Sequence, residues 1–338
     1  MHPALVFDHL ASMSTPIGLF EHALFTRARP EHGFCLDDVA RGLVVTARQP
    51  DPSAVVADLR QIYLRFVLDA QDAAGRFHNR RSAAGAWTDT PNVDDHWGRA
   101  LWALGTLAAT TGDEDVREAA LEGARRGMRL RSPAWHAMAY AALGACEVLG
   151  VRPGDSVALG LLTDARTQLG SAPVDPAWPW PEARLSYANA VLPEALVGIG
   201  AALGDEQLLR RGLDLLRWLV DIETIDDRVS PTPAGGWQVG EARPGFDQQP
   251  VEVTALAEAC WRAYRVTGDD AWLPVVDRCA AWFSGLNDTG VVVYDRATGG
   301  GRDGIHALRV NENQGAESTL AALGTLQLGH LSAGLPVR

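Results

Sequence analysis

Residues 36–45 read LDDVARGLVV, two acidic residues followed by a run of small and apolar ones. A polar or acidic start followed by an Ala- and Leu-rich run returns five more times along the chain. The six segments start at Leu36, Val93, Ser132, Ser186, Gln248 and Asn313. They are apolar nearly all round, which is typical of a helix that is buried on both sides. The repeat therefore predicts six inner helices.

Between these segments lie helices of a different kind, with charge on one face and apolar residues at the i, i+3, i+4 and i+7 spacing. They occupy residues 53–71, 114–128, 157–169, 206–220 and 272–286. Such one-sided helices are typical of an outer layer. The stretch PALVFDHLASM, residues 3–13, can supply a sixth. Six alternations of inner and outer helix predict an all-α fold: a closed (α/α)6 toroid, formed as one domain by residues 1–338.

The bulk composition narrows the range of functions. A net charge of −12 over 338 residues argues against nucleic acid and anionic membranes as partners. No apolar run approaches the roughly 20 residues that span a bilayer, and the N-terminus lacks the features of a signal peptide, so we expect a cytoplasmic protein. The four cysteines are scattered without a C-x-x-C motif, which predicts neither a metal site nor a disulfide framework. Nothing in the sequence indicates a cofactor.

The inner helices of such a toroid run parallel, so their N-termini gather at one rim with free N–H groups and positive dipole ends. We refer to this rim as the mouth. Short strands with glycine turns are predicted at 235–240 and 290–306, and loops at 75–92 and 174–185; all precede inner helices and so lie at the mouth. The mouth also carries many acids, tryptophans and arginines, Arg76 among them. This combination suits a polyhydroxylated ligand, and a carboxylate pair can act on an acetal.

Structural roles compete with ligand binding at each of these positions. An Asp at a helix start is often a cap, and we expect Asp37 to cap its helix while Asp38 points at a ligand. In the doublet Asp94-Asp95 capping explains one acid but not both. Glu252 and Glu317 lie one turn inside their helices, where each needs an arginine partner or a polar cavity. His136, within AWHAMAY, is interpreted as a core histidine.

Several strings resemble a bacterial family whose members are free-standing or fused to family-4-type glycosyltransferases, often beside β-mannoside phosphorylases. The strings are GLFEHALFTRARPEHGFCLDDVARGL, WGRALWALG, WPWPEARLSYANAVLPEALV, GFDQQPVEVTALAEACWRAYRVTGD and VYDRATGGGRDGIHALRVNENQGAESTLAAL. The resemblance spans nearly the whole chain, and FDQQPVE and NENQGAESTLA are its most specific parts. It implies a six-hairpin toroid that works on carbohydrate, with a possible functional association with a glycosyltransferase.

The resemblance carries over to named positions. The matching residues are Asp37, Asp38, Arg41, Asp95, Gly98, Arg99, Trp178, Trp180, Glu182, Tyr187, Asn189, Asp247, Gln248, Gln249, Glu252, Arg302, Asp303, His306, Asn311, Glu312, Asn313, Gln314, Glu317 and Ser318. Most of these, together with Arg76, His96 and Trp97 from the mouth, are expected to bind substrate.

The chain departs from the family pattern on one side of the mouth. Where YDNA is expected it has YANA at 187–190, which removes an acid. Where SEDSHGRALW is expected it has VDDHWGRALW, so Asp94 replaces a glutamate and Trp97 replaces a histidine. The preceding loop reads RRSAAGAW in place of FMSYDRRW. The family's substrate is therefore not transferred to this chain.

The leading hypothesis is a glycoside hydrolase acting on a mannose- or glucose-containing oligosaccharide. One carboxylic acid with a raised pKa would protonate the glycosidic oxygen, and a second carboxylate would activate water, with inversion as the favoured geometry because known enzymes of such toroids mostly invert. Inner helices two and five face each other in a ring of six, which nominates Asp95 and Glu252 as the catalytic pair. Asp38 and Glu317 are the rival catalytic residues.

Three further functions stay open from the sequence. A sugar epimerase or isomerase would use histidines for proton transfer, with His96 and His306 as candidates. NVDDH at 92–96 is one residue from the D-x-D-D acid motif of class II terpene cyclases, which would need a deep aromatic cavity. A non-catalytic glycan-binding protein would explain the lost acids.

Overall fold

The computed structural model describes residues 2–171, 175 and 177–335. Twelve α-helices lie within these residues. They are α1 (Asp8–Ser12), α2 (Leu36–Ala47), α3 (Ala54–Asp69), α4 (Asp95–Thr110), α5 (Glu114–Gly127), α6 (Trp135–Val151), α7 (Ser156–Gly170), α8 (Val191–Leu203), α9 (Glu206–Ile222), α10 (Pro250–Thr267), α11 (Leu273–Trp282) and α12 (Ala316–Ala333).

The helices form a closed double ring. The inner ring runs α2, α4, α6, α8, α10, α12 and closes because α12 packs against α2. The outer helices α3, α5, α7, α9 and α11 each pack on the inner helix before them, and α1 packs on α12. The predicted (α/α)6 toroid is confirmed, including the N-terminal origin of the sixth outer helix, although α1 is only five residues long.

In the part of the chain that the structure describes, ten short strands pair into five antiparallel ladders. They are β1 (Ala23–Leu24) with β2 (Arg27–Ala28), β3 (Phe34–Cys35) with β4 (Arg80–Arg81), β5 (Arg184–Leu185) with β8 (Trp237–Gln238), β6 (Thr224–Ile225) with β7 (Arg228–Val229), and β9 (Gly304–His306) with β10 (Arg309–Asn311). The prediction for 235–240 holds at β8. Within 290–306 only β9 forms a ladder, because the backbone N–H of Val293 donates instead to Phe283 at the end of α11.

The connections at the two ends of the ring differ in length. Links from an inner to an outer helix are short, as at 111–113, 152–155 and 204–205, whereas the returns at 70–94, 223–249 and 283–315 are long. These three long returns carry β4 and the strands from β6 to β10, and β5 precedes α8. They therefore place the polar loops at the mouth, where the inner helices begin.

Capping also differs between the two layers. Ser53, Asp113, Asp155 and Asp205 cap outer helices by accepting from backbone N–H groups of the first turn. No N-cap side chain accepts such a bond at any of the six inner helices, all of which lie in the described part of the chain. The expected capping role of Asp37 is therefore wrong. Cys35 holds the N-cap position of α2, and the Asp37 side chain binds Arg99 and Asn79 instead.

The tightest packing in the ring joins α4 and α6. A Cβ atom added at Gly105 would lie 2.4 Å from the carbonyl oxygen of Gly144, and one added at Gly98 would lie 2.2 Å from that of Ala137. Only glycine allows the two backbones to approach so closely. None of the helices that the structure describes combines the length and the hydropathy that a bilayer-spanning helix needs.

Candidate active site at the mouth

A cavity of about 540 Å³ opens at the mouth of the toroid. Its wall is formed by the starts of α2, α4, α10 and α12 together with the loops that precede them. The lining residues are Glu21, His22, Cys35, Asp37, Asp38, Arg41, Arg80, Arg99, Tyr187, Gln249, Val251, Asp303, Asn311, Gly315, Glu317 and Ser318. Five carboxylates and three guanidinium groups thus share one surface.

Asp37 is held as a carboxylate on the α4 side of the cavity. Its Oδ1 lies 2.5 Å from Arg99 Nη1, and its Oδ2 accepts from the side chain of Asn79 at 3.1 Å. Burial alone would raise the pKa of Asp37, but the charges of Arg99 and Arg41 outweigh it and lower the pKa to about 2. Asp37 is therefore ionised near neutral pH.

Asp38, the next residue, has the opposite character. Its side chain is 5 % exposed, and Oδ1 accepts from Arg41 Nη1 at 2.9 Å. Burial raises the pKa of Asp38 to about 8; Arg41 opposes this shift, and the charge of Glu317 adds to it. Two adjacent acids on one helix thus hold different protonation states near neutral pH.

Arg41 joins Asp38 to Glu317. Its Nη2 lies 2.9 Å from Oε2 of Glu317, whose side chain is 40 % exposed to solvent. One guanidinium therefore binds a buried carboxyl from α2 and an accessible carboxylate from α12. A carboxylate inside a helix needs an arginine partner or a polar cavity. Glu317 has both, because it pairs with Arg41 and lines the cavity.

Asp95, at the start of α4, binds Tyr187 across the cavity edge. The Tyr187 hydroxyl donates to Asp95 Oδ2, and burial together with that carboxylate raises the pKa of Tyr187. The Tyr187 ring stacks on His136, with ring centroids 4.5 Å apart. His136 is buried and its Nε2 has no hydrogen-bond partner, and burial lowers its pKa. His136 is thus a buried histidine lying directly behind a cavity residue.

Glu252 lies below the cavity wall. Its carboxylate accepts from the backbone N–H of Ala188 at 2.5 Å and from the backbone and side-chain N–H groups of Asn189 at 3.3 and 3.2 Å. Burial, with a smaller contribution from Glu223, raises the pKa of Glu252 to about 8. These contacts fix the loop before α8, where Ala188 has a φ of 44°. Glu252 is absent from the lining of the mouth cavity.

The α12 side of the cavity is built around Asp303. Its Oδ1 accepts from the Gly315 backbone N–H at 2.8 Å, just before α12. Burial raises the pKa of Asp303, and nearby Glu317 acts in the same direction. Gln249, Asn311 and Ser318 complete this wall with neutral polar groups.

The remaining predicted residues lie away from the cavity wall. Trp178 and Trp180 pack with Trp218 of α9 in an aromatic cluster, and Glu182 is exposed beside them. His96 contacts the Phe77 carbonyl oxygen at 2.9 Å, and Trp97 is fully buried in the core.

Other predicted site residues form bonds outside the cavity. Arg76 pairs with Asp72, and Arg302 donates to the Val292 carbonyl oxygen. Gln248 is buried and donates to Asp288 at 2.6 Å. The residues that lie on the outer rim are Asp247, His306, Glu312 and Asn313, and Gln314 is buried just before α12.

Four cavity residues with titratable side chains were neither predicted as site residues nor among the matching positions: Glu21, His22, Cys35 and Arg80. They come from the hairpin before α2 and from β4, so the periodicity of the inner helices gives no sign of them. The resemblance contained one signal, since Glu21, His22 and Cys35 lie within its first string. Arg80 belongs to the loop that departs from the family.

The described residues include one group that could in principle ligate a metal: Glu21, Cys35 and Asp38, whose ligand atoms lie within 4.8 Å of one another. Each acid already has a cationic partner, Arg80 for Glu21 and Arg41 for Asp38. Burial and the neighbouring acids raise the pKa of the Cys35 thiol, which disfavours the thiolate that a metal needs. The donor set fits a metal poorly.

The chain matches no model of a known protein family. No curated protein is similar to it in sequence.

Solved structures share its fold. A sugar epimerase from a ruminal bacterium superposes with a TM-score of 0.71 at 14% identity, covering 98% of this chain and 96% of the epimerase. The cellobiose 2-epimerase of Bacillus thermoamylovorans gives 0.71 at 11% identity, covering 96% of each chain. The GH76 α-mannanase of Bacteroides thetaiotaomicron gives 0.63 at 11% identity, covering 88% of this chain and 86% of the mannanase. At these identities the likeness establishes the (α/α)6 toroid.

Proposed function

We propose that the protein is a glycoside hydrolase that cleaves a mannose- or glucose-containing oligosaccharide in the mouth cavity. One observation carries the proposal: Arg41 holds the buried carboxyl of Asp38 and the accessible carboxylate of Glu317 on one guanidinium at the cavity wall. An acid that is protonated near neutral pH and a solvent-accessible carboxylate in the same cavity are the two groups that acid-base cleavage of an acetal uses. The toroid's likeness to an α-mannanase and to sugar epimerases supports a carbohydrate substrate.

In the proposed reaction Asp38 gives its proton to the glycosidic oxygen as the bond to the anomeric carbon breaks. Glu317 removes a proton from a water molecule whose oxygen forms the new bond to that carbon. Asp37, which is ionised near neutral pH, lies beside Asp38 and stabilises the positive charge that develops on the sugar ring. Arg41 favours the anionic form of Asp38 after proton transfer. The proton taken up at Glu317 then returns to Asp38 through solvent.

The rival pair, Asp95 and Glu252, stays a prediction for experiment. Asp95 reaches the cavity edge through its bond with Tyr187. Glu252 accepts three hydrogen bonds from the loop before α8, so it would have to leave them to reach a substrate. This geometry favours Asp38 and Glu317.

The test is release of reducing sugar from manno- and gluco-oligosaccharides by the protein and two variants. Asp38→Asn and Glu317→Gln are each expected to lower kcat by about 10²–10⁴-fold, the usual contribution of a general acid or base. Asp94→Asn is the matched control, because Asp94 is an exposed acid at the start of α4 whose side chain makes no cap bond. Full turnover by Glu317→Gln would contradict the assignment. Proton NMR of the fresh product distinguishes inversion, which a general base predicts, from retention.

One observation favours a sugar epimerase or isomerase as a second candidate. His136 has a free Nε2 and stacks behind Tyr187, which lines the cavity. Among the described residues, however, His22 is the one histidine that lines the cavity, while His306 is paired with Asp247 at 2.6 Å. Deuterium from solvent appearing in an uncleaved sugar, and lost in His136→Gln, would establish this reaction in place of hydrolysis.

A terpene cyclase and a glycan-binding protein make different demands on the cavity. A terpene cyclase needs a deep aromatic cavity, whereas the space on the ring axis below the mouth is about 50 Å³ and the mouth itself is lined by acids and arginines. A glycan-binding protein would bind the same oligosaccharides and release no product, so the hydrolysis experiment separates it directly.

A further inference from the structure

A second recess of about 510 Å³ lies on the rim next to the mouth cavity. Asn311 lines both, so the two spaces adjoin. The residues that line this rim recess are Phe25, His306, Arg309, Val310, Asn311, Glu312 and Asn313. Both volumes fall within the roughly 300–1,000 Å³ of small-molecule sites. A ligand too long for the mouth cavity can therefore continue into the rim recess.

Phe25 presents an aromatic ring to the recess. It lies in the two-residue turn between β1 and β2, and 55 % of its surface is exposed. The backbone N–H of Phe25 donates to Asn313 Oδ1 at 2.9 Å, and its carbonyl oxygen accepts from the Gln314 N–H at 2.9 Å. These two bonds tie the hairpin tip to the segment before α12, so the ring is held at the recess.

The conformation of Phe25 is unusual for its residue type. Its φ is 52°, and the first position of such a hairpin turn normally holds glycine. A bulky residue in this region is strained because its Cβ approaches the following carbonyl oxygen. The turn thus carries an exposed aromatic ring at a position where glycine would be more stable.

Two charged groups of the recess are free to bind a ligand. The side chains of Arg309 and Glu312 make no hydrogen bond or ion pair with any described residue. Arg309 is cationic and Glu312 is anionic, so these two charges together do not favour a ligand of either sign. An aromatic face with hydrogen-bond donors and acceptors around it fits the apolar face and the hydroxyl groups of a sugar ring.

We propose that the rim recess is an outer subsite that binds a further sugar ring of an oligosaccharide whose scissile bond lies in the mouth cavity. Phe25 stacks on that ring, and Arg309 and Glu312 bind its hydroxyl groups. The inference rests on the proposed hydrolase function and narrows the substrate to chains longer than a disaccharide.

The test compares kcat/KM on a disaccharide and a tetrasaccharide of the cleaved series. Phe25→Gly removes the ring and suits the positive φ, so folding should be preserved. It is expected to lower the preference for the tetrasaccharide about three- to tenfold through KM, and Phe25→Trp should keep the preference. Leu308→Gly is the matched control, because Leu308 lies in the two-residue turn between β9 and β10, is 99 % exposed and is not part of the recess.

Binding separates failure of the subsite from failure of the hydrolase. Calorimetry with the tetrasaccharide is run on Asp38→Asn and on Asp38→Asn with Phe25→Gly. An equal Kd for the two, or an unchanged chain-length preference in Phe25→Gly, overturns the subsite while cleavage by the wild-type protein still supports the hydrolase. Weaker binding without the ring, in a protein that cleaves nothing, keeps the subsite and removes the hydrolase.

Discussion

Arg99 on α4 lies 2.5 Å from Asp37 on α2, and the same guanidinium is 3.7 Å from Asp95 at the start of its own helix. The Arg99 side chain is 5 % exposed, and its guanidinium carbon lies 4.7 Å from the centroid of the Tyr140 ring. One buried cation thus joins the two acidic doublets that the sequence places at neighbouring helix starts. Removing it would leave two carboxylates with much of their charge uncompensated.

Arg99→Met is therefore expected to lower the free energy of unfolding by about 3–5 kcal/mol, measured by urea denaturation. Arg76→Met is the control, since the Arg76–Asp72 pair is half-exposed and worth less than about 1 kcal/mol. Adding Asp37→Asn to Arg99→Met should restore part of the loss. Equal losses for Arg99→Met and Arg76→Met would contradict a buried role for Arg99.

The protonation of Asp38 predicts a pH dependence of activity. Burial raises its pKa to about 8, and only the protonated acid can donate to the glycosidic oxygen. The value of kcat/KM should therefore fall about tenfold per pH unit above pH 8.

Glu21 provides a check that Asp38 causes the alkaline fall of kcat/KM, because the negative charge of Glu21 helps to raise the pKa of Asp38. Glu21→Gln should move the alkaline fall of kcat/KM to lower pH. Glu31→Gln, an exposed acid in the same segment, should leave it in place. An alkaline limb that is unmoved by Glu21→Gln would assign the titration to another group.

Glu252 predicts a separation of stability from turnover. Glu252→Ala leaves the Ala188 and Asn189 N–H groups without their acceptor, at a cost of about 2–4 kcal/mol. Glu252→Gln keeps one carbonyl oxygen and should cost less, with kcat within about threefold of wild type. A loss of kcat beyond 10²-fold in a folded Glu252→Gln protein would instead favour Asp95 and Glu252 as the catalytic pair.

The contact between α4 and α6 gives a prediction on packing. A Cβ at Gly144 would lie 2.3 Å from the carbonyl oxygen of Leu101, so Gly144→Ala should lower the free energy of unfolding by about 3 kcal/mol. Gly150, on the same helix, has no atom within 4 Å of an added Cβ. Gly150→Ala should therefore be neutral or stabilise by up to about 1 kcal/mol, and similar losses in the two variants would argue against close backbone packing.

The order of helices was predictable because burial on both sides leaves a strong compositional mark. Inner helices were predicted to start slightly early at Ser186 and Asn313. In both places the polar residues form loops fixed by distant partners: Asn189 by Glu252, and Gly315 by Asp303. Such long-range bonds leave no periodic signal in the local sequence.

The site was predictable only where it belongs to the inner helices. Asp37, Asp38 and Glu317 could be placed at the mouth because helix starts gather there. The sequence could not show that Arg41 joins Asp38 to Glu317, since that contact links α2 to α12. Glu252 and Glu317 each lie one turn inside a helix, so the sequence does not distinguish them. Only the fold shows that the carboxylate of Glu252 binds the loop before α8.

Closure of the ring by α12 has a consequence for synthesis on the ribosome. His9 Nε2 bonds the carbonyl oxygen of Gln314 at 2.8 Å across 305 residues, and α12 fills the gap between α10 and α2. A nascent chain emerges N-terminus first, so these partners meet only late. Ribosome-bound chains that stop before residue 316 should therefore form an open arc with the apolar sides of α2 and α10 uncovered, and the mouth cavity can assemble only after α12 has emerged.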